Sequence, residues 1–110
     1  GPQFADRQCR PLLAMTTGGR QSSLPALVDI VGQQIAAHPG NYLVYFSSFA
    51  YLTQFEAAFV ARFPDVALQR QHSGMSAHNR QQFLERFHQG EPILACMRLV
   101  RWRILMCQMG

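Results

Sequence analysis

The sequence predicts an α/β domain: a parallel sheet with helices packed on its faces. Three observations lead there. Short apolar runs alternate with longer segments of helical periodicity. Pro-Gly, Ser-Ser and Pro-Asp breaks separate them. Neither an internal repeat nor a low-complexity tract interrupts the pattern. Strands that alternate with helices of this length imply parallel pairing, because each helix carries the chain back to the same end of the sheet. With 110 residues, 48% of them apolar, the chain can bury one core and has no room for a second domain of ordinary size. A charged fraction of 15% argues against disorder over most of the length.

The elements follow in order. Residues 3–15 mix Phe4, Leu12, Leu13 and Met15 with Pro11, which argues against a continuous helix. Thr16-Thr17-Gly18-Gly19 reads as a turn or linker, so residues 1–18 are expected to be a linker or edge segment. Gly1-Pro2 has the form of a scar left by tag removal. Ser22 or Ser23 can cap a helix with Pro25 close to its first turn. Leu24, Leu27, Val28, Ile30, Val31 and Ile35 then recur at helical spacing up to His38-Pro39-Gly40. Tyr42-Leu43-Val44-Tyr45-Phe46 is a continuous apolar run and reads as a buried central strand.

Phe49 to Phe63 carries Leu52, Phe55, Phe59 and Val60 at helical spacing, and Pro64-Asp65 breaks it. Val66-Ala67-Leu68 is expected as a second strand and His72-Ser73-Gly74 as a loop. Ser76 caps a helix reaching His88, with Phe83, Leu84 and Phe87 on one face. Gln89-Gly90 stops it, and Ile93-Leu94-Ala95-Cys96 is expected as a third strand.

Charge and cysteine usage narrow the chemistry. All ten basic residues are Arg. A P-loop needs a Lys to reach the nucleotide phosphates, so the chain does not hold a standard one. The net charge of +4 owes much to Arg98, Arg101 and Arg103, so the basic balance alone does not mark a nucleic-acid-binding face. Cys9, Cys96 and Cys107 include no C-x-x-C pair. They are expected to be reduced thiols of a cytoplasmic protein rather than zinc or iron–sulfur ligands. His38, His72, His78 and His88 are scattered and suggest no metal site. No apolar run approaches the roughly 18 residues that span a bilayer, and the first residues lack the pattern of a secretory signal. No membrane role is expected.

In a parallel sheet, binding groups gather at the carboxyl ends of the strands. Ser47-Ser48-Phe49 occupies one such end and opens a helix, whose free N–H groups favour anions. The plainer reading of the two serines is a helix cap.

The run from Pro39 to Leu52, PGNYLVYFSSFAYL, resembles motif IV of the DinG/XPD-type helicases of superfamily 2, where "GNYLVYFSSYxYL" is typical. Gln71, Gly74-Met75-Ser76, Arg80 and Phe83-Leu84-x-x-Phe87 are similar to the next block of that family. Gly19 to Leu24 resembles its linker into the second motor domain. The resemblance spans roughly residues 4–95 and implies a partial RecA-like second motor domain over residues 19–96. The parent would be an ATP-dependent DNA helicase that unwinds 5′ to 3′ in DNA repair. ATP and magnesium would act in that parent, and an iron–sulfur cluster, where present, would belong to its first motor domain and not to this chain.

Carried over by position, Ser47, Ser48 and Phe49 would approach the DNA backbone or the nucleotide cleft. Tyr51 would stack or pack beside them, Gln71 would face the same edge, and Arg20 would touch DNA or the other domain from the linker. The implied partners are single-stranded DNA and the first motor domain. No residue of this chain is expected to be catalytic.

The resemblance stops at Ala95. Residues 97–110 carry neither the Gly-rich, acidic motif V of the family nor its arginine-bearing motif VI. Two accounts compete: an out-of-frame tail, or a genuine strand-forming or amphipathic segment. Two further readings stand beside the helicase: a non-catalytic α/β interaction module, and an inactive truncated fragment.

Overall fold

The computed structural model of the protein describes residues 8–12, 20–86, 92–99 and 104–108. The chain runs β1 (Gln8–Pro11), α1 (Arg20–Ala37), β2 (Tyr42–Phe46), α2 (Phe49–Arg62), β3 (Leu68–Arg70), α3 (Ala77–Glu85), β4 (Leu94–Arg98) and β5 (Leu105–Gln108). The strands form one sheet in the order β1-β5-β2-β4-β3. β2, β4 and β3 run parallel, with Tyr42 opposite Leu94 and Leu68 opposite Leu94. β5 is antiparallel to β2, and β1 is antiparallel to β5.

The domain is thus α/β, but its sheet is mixed, which corrects the all-parallel expectation. The reason lies in the connection from β4 to β5. Arg98 ends one strand and Leu105 begins the next. A parallel return needs about a dozen residues, usually a helix, and the chain here has half that. It must reverse, and β5 slots beside β2 in the opposite sense.

Side chains sort onto the two faces with period two. Tyr42, Val44 and Phe46, with Leu94, Cys96 and Met106, face a core that includes Leu27, Val28 and Val31 of α1 and Leu52, Phe55 and Phe59 of α2. Leu43, Ala95, Met97 and Cys107 face the other way, where Phe83 of α3 packs on them. The connection from β2 to β3 skips over β4, whereas that from β3 to β4 steps back by one strand. Two right-handed crossovers in opposite directions place their helices on opposite faces.

α2 forms because Leu52, Phe55 and Phe59 repeat at three- and four-residue spacing and line its buried stripe. Phe46, Phe55, Phe59 and Phe63 continue it as a column of rings, with successive centroids 5.1, 5.3 and 5.0 Å apart. α1 crosses α2 closely at Gly32, where an added Cβ would run into the Phe63 ring. Asp29 and Arg62 pair across the same crossing. Arg62 is exposed and Asp29 half-buried, so solvent screens the pair and it adds little stability.

Several boundaries differ from expectation. α1 begins at Arg20, so Ser22 and Ser23 lie inside the helix rather than capping it, and Pro25 is its sixth residue. A proline this near the start costs only an early backbone hydrogen bond, at the end that frays most easily. β3 covers Leu68–Arg70, two residues later than expected. The preceding residues are held in a turn by the Val66 N–H donating to the Phe63 carbonyl. α3 is helical to Glu85. Phe87, His88 and Gln89-Gly90 lie outside the described residues, as do residues 1–7, Thr16 to Gly19, and Arg101, Trp102 and Arg103.

The thiols need a larger correction. Cys9 and Cys107 form a disulfide, and among the cysteines only Cys96 is free. Cys9 stands directly opposite Cys107 in the β1–β5 ladder. Their 98-residue sequence separation gives no local sign of that pairing.

Candidate nucleic-acid interface

The carboxyl ends of β2, β4 and β3 share one edge of the sheet, because the three strands are parallel. β2 delivers Ser47, Ser48 and Phe49 there; β3 delivers Gln71, His72 and Ser73; β4 delivers Arg98. Five of the six residues singled out in the sequence, Ser47, Ser48, Phe49, Tyr51 and Gln71, therefore sit at or next to this edge. The sixth, Arg20, is the first residue of α1 rather than part of a linker.

Each has a definable local role. Ser48 is extended (φ −145°, ψ 152°), and its Oγ accepts from the Tyr51 N–H at 3.1 Å. It is the N-cap of α2, and its hydroxyl is committed to the helix. Replacing it should cost stability: Ser48→Ala is expected to lower the unfolding free energy by about 1 kcal/mol. A urea titration reads this as a lower midpoint with unchanged slope. Ser47 is exposed and stands just ahead of the cap. Tyr51 packs its ring edge-on against Phe46, centroids 6.0 Å apart. Burial raises its phenol pKa above the ordinary value, so the ring is a neutral, half-buried wall of the edge.

Gln71 ties the edge together. Its backbone N–H donates to the Cys96 carbonyl at 2.8 Å, and its side-chain Oε1 accepts from the Arg98 N–H at 2.9 Å. The Leu99 N–H donates to the Phe46 carbonyl at 2.8 Å. Together these bonds set the three strand ends in register. After Gln71 the chain turns tightly, with the Met75 N–H donating to the His72 carbonyl at 3.2 Å and Gly74 at φ 78°. A positive φ at that position favours glycine.

Arg98 is the residue that sequence reasoning left without a role. Its guanidinium carbon lies 5.4 Å from the Phe49 ring centroid, within cation–π range. It is exposed. The missed signal was strand length: the third strand was expected to stop at Cys96 but runs on to Arg98. Those two residues bring a cation to the edge.

Two neighbouring groups are not part of this chemistry. Burial, reinforced by Glu56 and partly offset by Arg70, pushes the Cys96 thiol far up, so it is not a nucleophile. Burial also raises the Tyr45 phenol, with Arg80 opposing the shift. Tyr45 and Arg80 thus lie near each other on the α3 side. Among the described residues no group of three or more His, Cys, Asp or Glu side chains could hold a metal, and no helix is long and apolar enough to cross a membrane.

What the edge offers is a small platform: an α-helix amino end, an exposed serine, an aromatic face and one guanidinium. These groups suit a phosphate and a stacked base more than they suit bond-making chemistry. No family model matches the sequence, and neither the curated proteins nor the solved structures contain a match.

Proposed function

We propose that the chain is part of the second motor domain of a DinG/XPD-type ATP-dependent DNA helicase, and that this edge contacts single-stranded DNA and forms half of an ATP cleft. The observation that supports this most is the gathering of Ser47, Phe49, Gln71 and Arg98 at the carboxyl ends of three parallel strands. These residues come from stretches that are far apart in sequence, and two of those stretches carry the resemblance. In this reading the domain is RecA-like and cytoplasmic. Its partners are single-stranded DNA and the first motor domain. ATP and magnesium act between the two motor domains of the parent, and the isolated chain does not hydrolyse ATP.

Fluorescence anisotropy with a labelled oligo-dT of about 20 nucleotides tests the DNA contact. Binding is expected to be weak and to fall with salt, by about 0.7 in log–log slope for each phosphate contacted. Arg98→Ala and Ser47→Asp should each weaken it by roughly fivefold, a loss on the order of 1 kcal/mol. Neither position caps a helix or fills the core, so the fold should survive both changes. Binding that ignores both substitutions and the salt would sink the reading. So would ATP hydrolysis by the pure chain that is lost when Ser47 and Ser48 are changed.

One observation favours the second reading, a non-catalytic α/β interaction module. The residues after the resemblance ends are built into the core: Met97, Ile104, Met106 and Cys107 are all buried. A module with its own completed sheet needs no partner motor domain. A pulldown that recovers a protein partner and no DNA would favour it.

A further inference from the structure

The Cys9–Cys107 bond joins the edge strand β1 to the interior strand β5. We propose that this disulfide is a redox latch, opened by a dithiol reductant, that holds β1 on the sheet. The proposal goes beyond the DNA-binding reading and does not depend on it.

β1 is four residues long and, among the described residues, pairs with β5 alone. Further contacts of this segment are made at its outer end. The Leu12 N–H donates to the Ile104 carbonyl at 2.9 Å, and the Arg10 guanidinium donates to Gln34 Oε1 at 2.8 Å on an exposed surface. Leu12 reaches the core. A four-residue strand at the edge of a sheet belongs to the part of a structure that opens locally. β5, by contrast, is paired on both sides. Cutting the bond therefore acts on β1 and spares the interior.

The two sulfurs are placed unequally. Cys9 is exposed, whereas Cys107 is buried beside Leu43, Phe83, Ala95 and Met97. A reductant thiolate attacks the Cys9 sulfur. The S–S bond breaks, and its electron pair leaves on the Cys107 sulfur, which takes up a proton. The second thiol of the reductant then displaces Cys9 from the mixed disulfide, and Cys9 is protonated in turn. Two electrons and two protons pass to the protein, and the dithiol leaves as its own disulfide. Cys96 stays out of the exchange: it is buried on the opposite face of the sheet, with α1 and α2. In a reducing compartment a bond of this kind is made and broken as a signal rather than kept as a permanent staple.

Hydrogen–deuterium exchange of the full chain, with and without dithiothreitol, tests the latch, alongside native alkylation read by intact mass. The oxidised protein should take up no alkyl group until it is denatured, and then only at Cys96. After reduction, Cys9 should label first. Exchange over residues 8–12 should rise at least tenfold while 42–46 and 94–97 stay protected. Cys107→Ser should reproduce the reduced pattern in either condition. Unchanged exchange at 8–12 would overturn the proposal. So would simultaneous exchange of all strands, which would make the bond a global staple, or three free thiols in protein handled in air.

Discussion

A chain terminated after Leu99 is expected to lose the fold, not merely to shorten it. β5 lies between β2 and β1 and pairs with both. Removing it strips Ile104, Met106 and Cys107 from the core, severs the disulfide, and leaves β2 as an uncovered edge. Burying a side chain of this size contributes about 1.5–3 kcal/mol. The three together are worth on the order of 5 kcal/mol, comparable to the whole stability of a small domain, which is about 5–15 kcal/mol. Circular dichroism on heating should show a cooperative transition for the full chain and none for the truncated one. If the truncated chain melts cooperatively within a few degrees of the full one, β5 is not part of the core. The out-of-frame account of the tail would then gain ground, because a segment translated in the wrong frame should be dispensable to folding.

Phe55→Ala should produce the second large effect. Phe55 is fully buried and sits in the middle of the ring column, 5.1 Å from Phe46 and 5.3 Å from Phe59. Cutting a buried Phe to Ala costs about 3–5 kcal/mol, the sum of lost transfer energy and the cavity left behind. At this site the substitution also breaks the column that joins α2 to β2. Urea unfolding should show the midpoint falling by about 2 M, for a slope near 1–2 kcal/mol/M. Val60→Ala on the same helix is the control. Val60 is exposed, so its substitution should stay within about 0.5 kcal/mol. Equal effects at both positions would mean that α2 does not present the face described.

The two experiments also bear on function. Arg98 reaches the edge only because β4 continues to its position, and β4 is held between β2 and β3. Anything that unseats β2 moves Ser47, Phe49 and Arg98 apart together. Loss of DNA binding in Phe55→Ala or in the truncated chain would therefore report on folding, whereas loss in Arg98→Ala or Ser47→Asp reports on contact.

By itself the sequence determined the helices and the central strands. The Leu52, Phe55 and Phe59 stripe, the cap at Ser76 and the apolar run from Tyr42 to Phe46 are local signals, set by periodicity and turn chemistry within a few residues. They also located most of the candidate edge, because a strand end that opens a helix is itself a local pattern. Tertiary structure alone decided the direction and place of β5, the docking of β1, the Cys9–Cys107 bond and the arrival of Arg98 beside Phe49. Leu105 to Gln108 is too short, and too rich in Met and Cys, to stand out as a strand. Its partners lie about 60 residues away in β2 and 98 away at Cys9. Pairing across such distances is fixed by which edge remains open once the parallel core has formed, and no window of neighbouring residues records that choice.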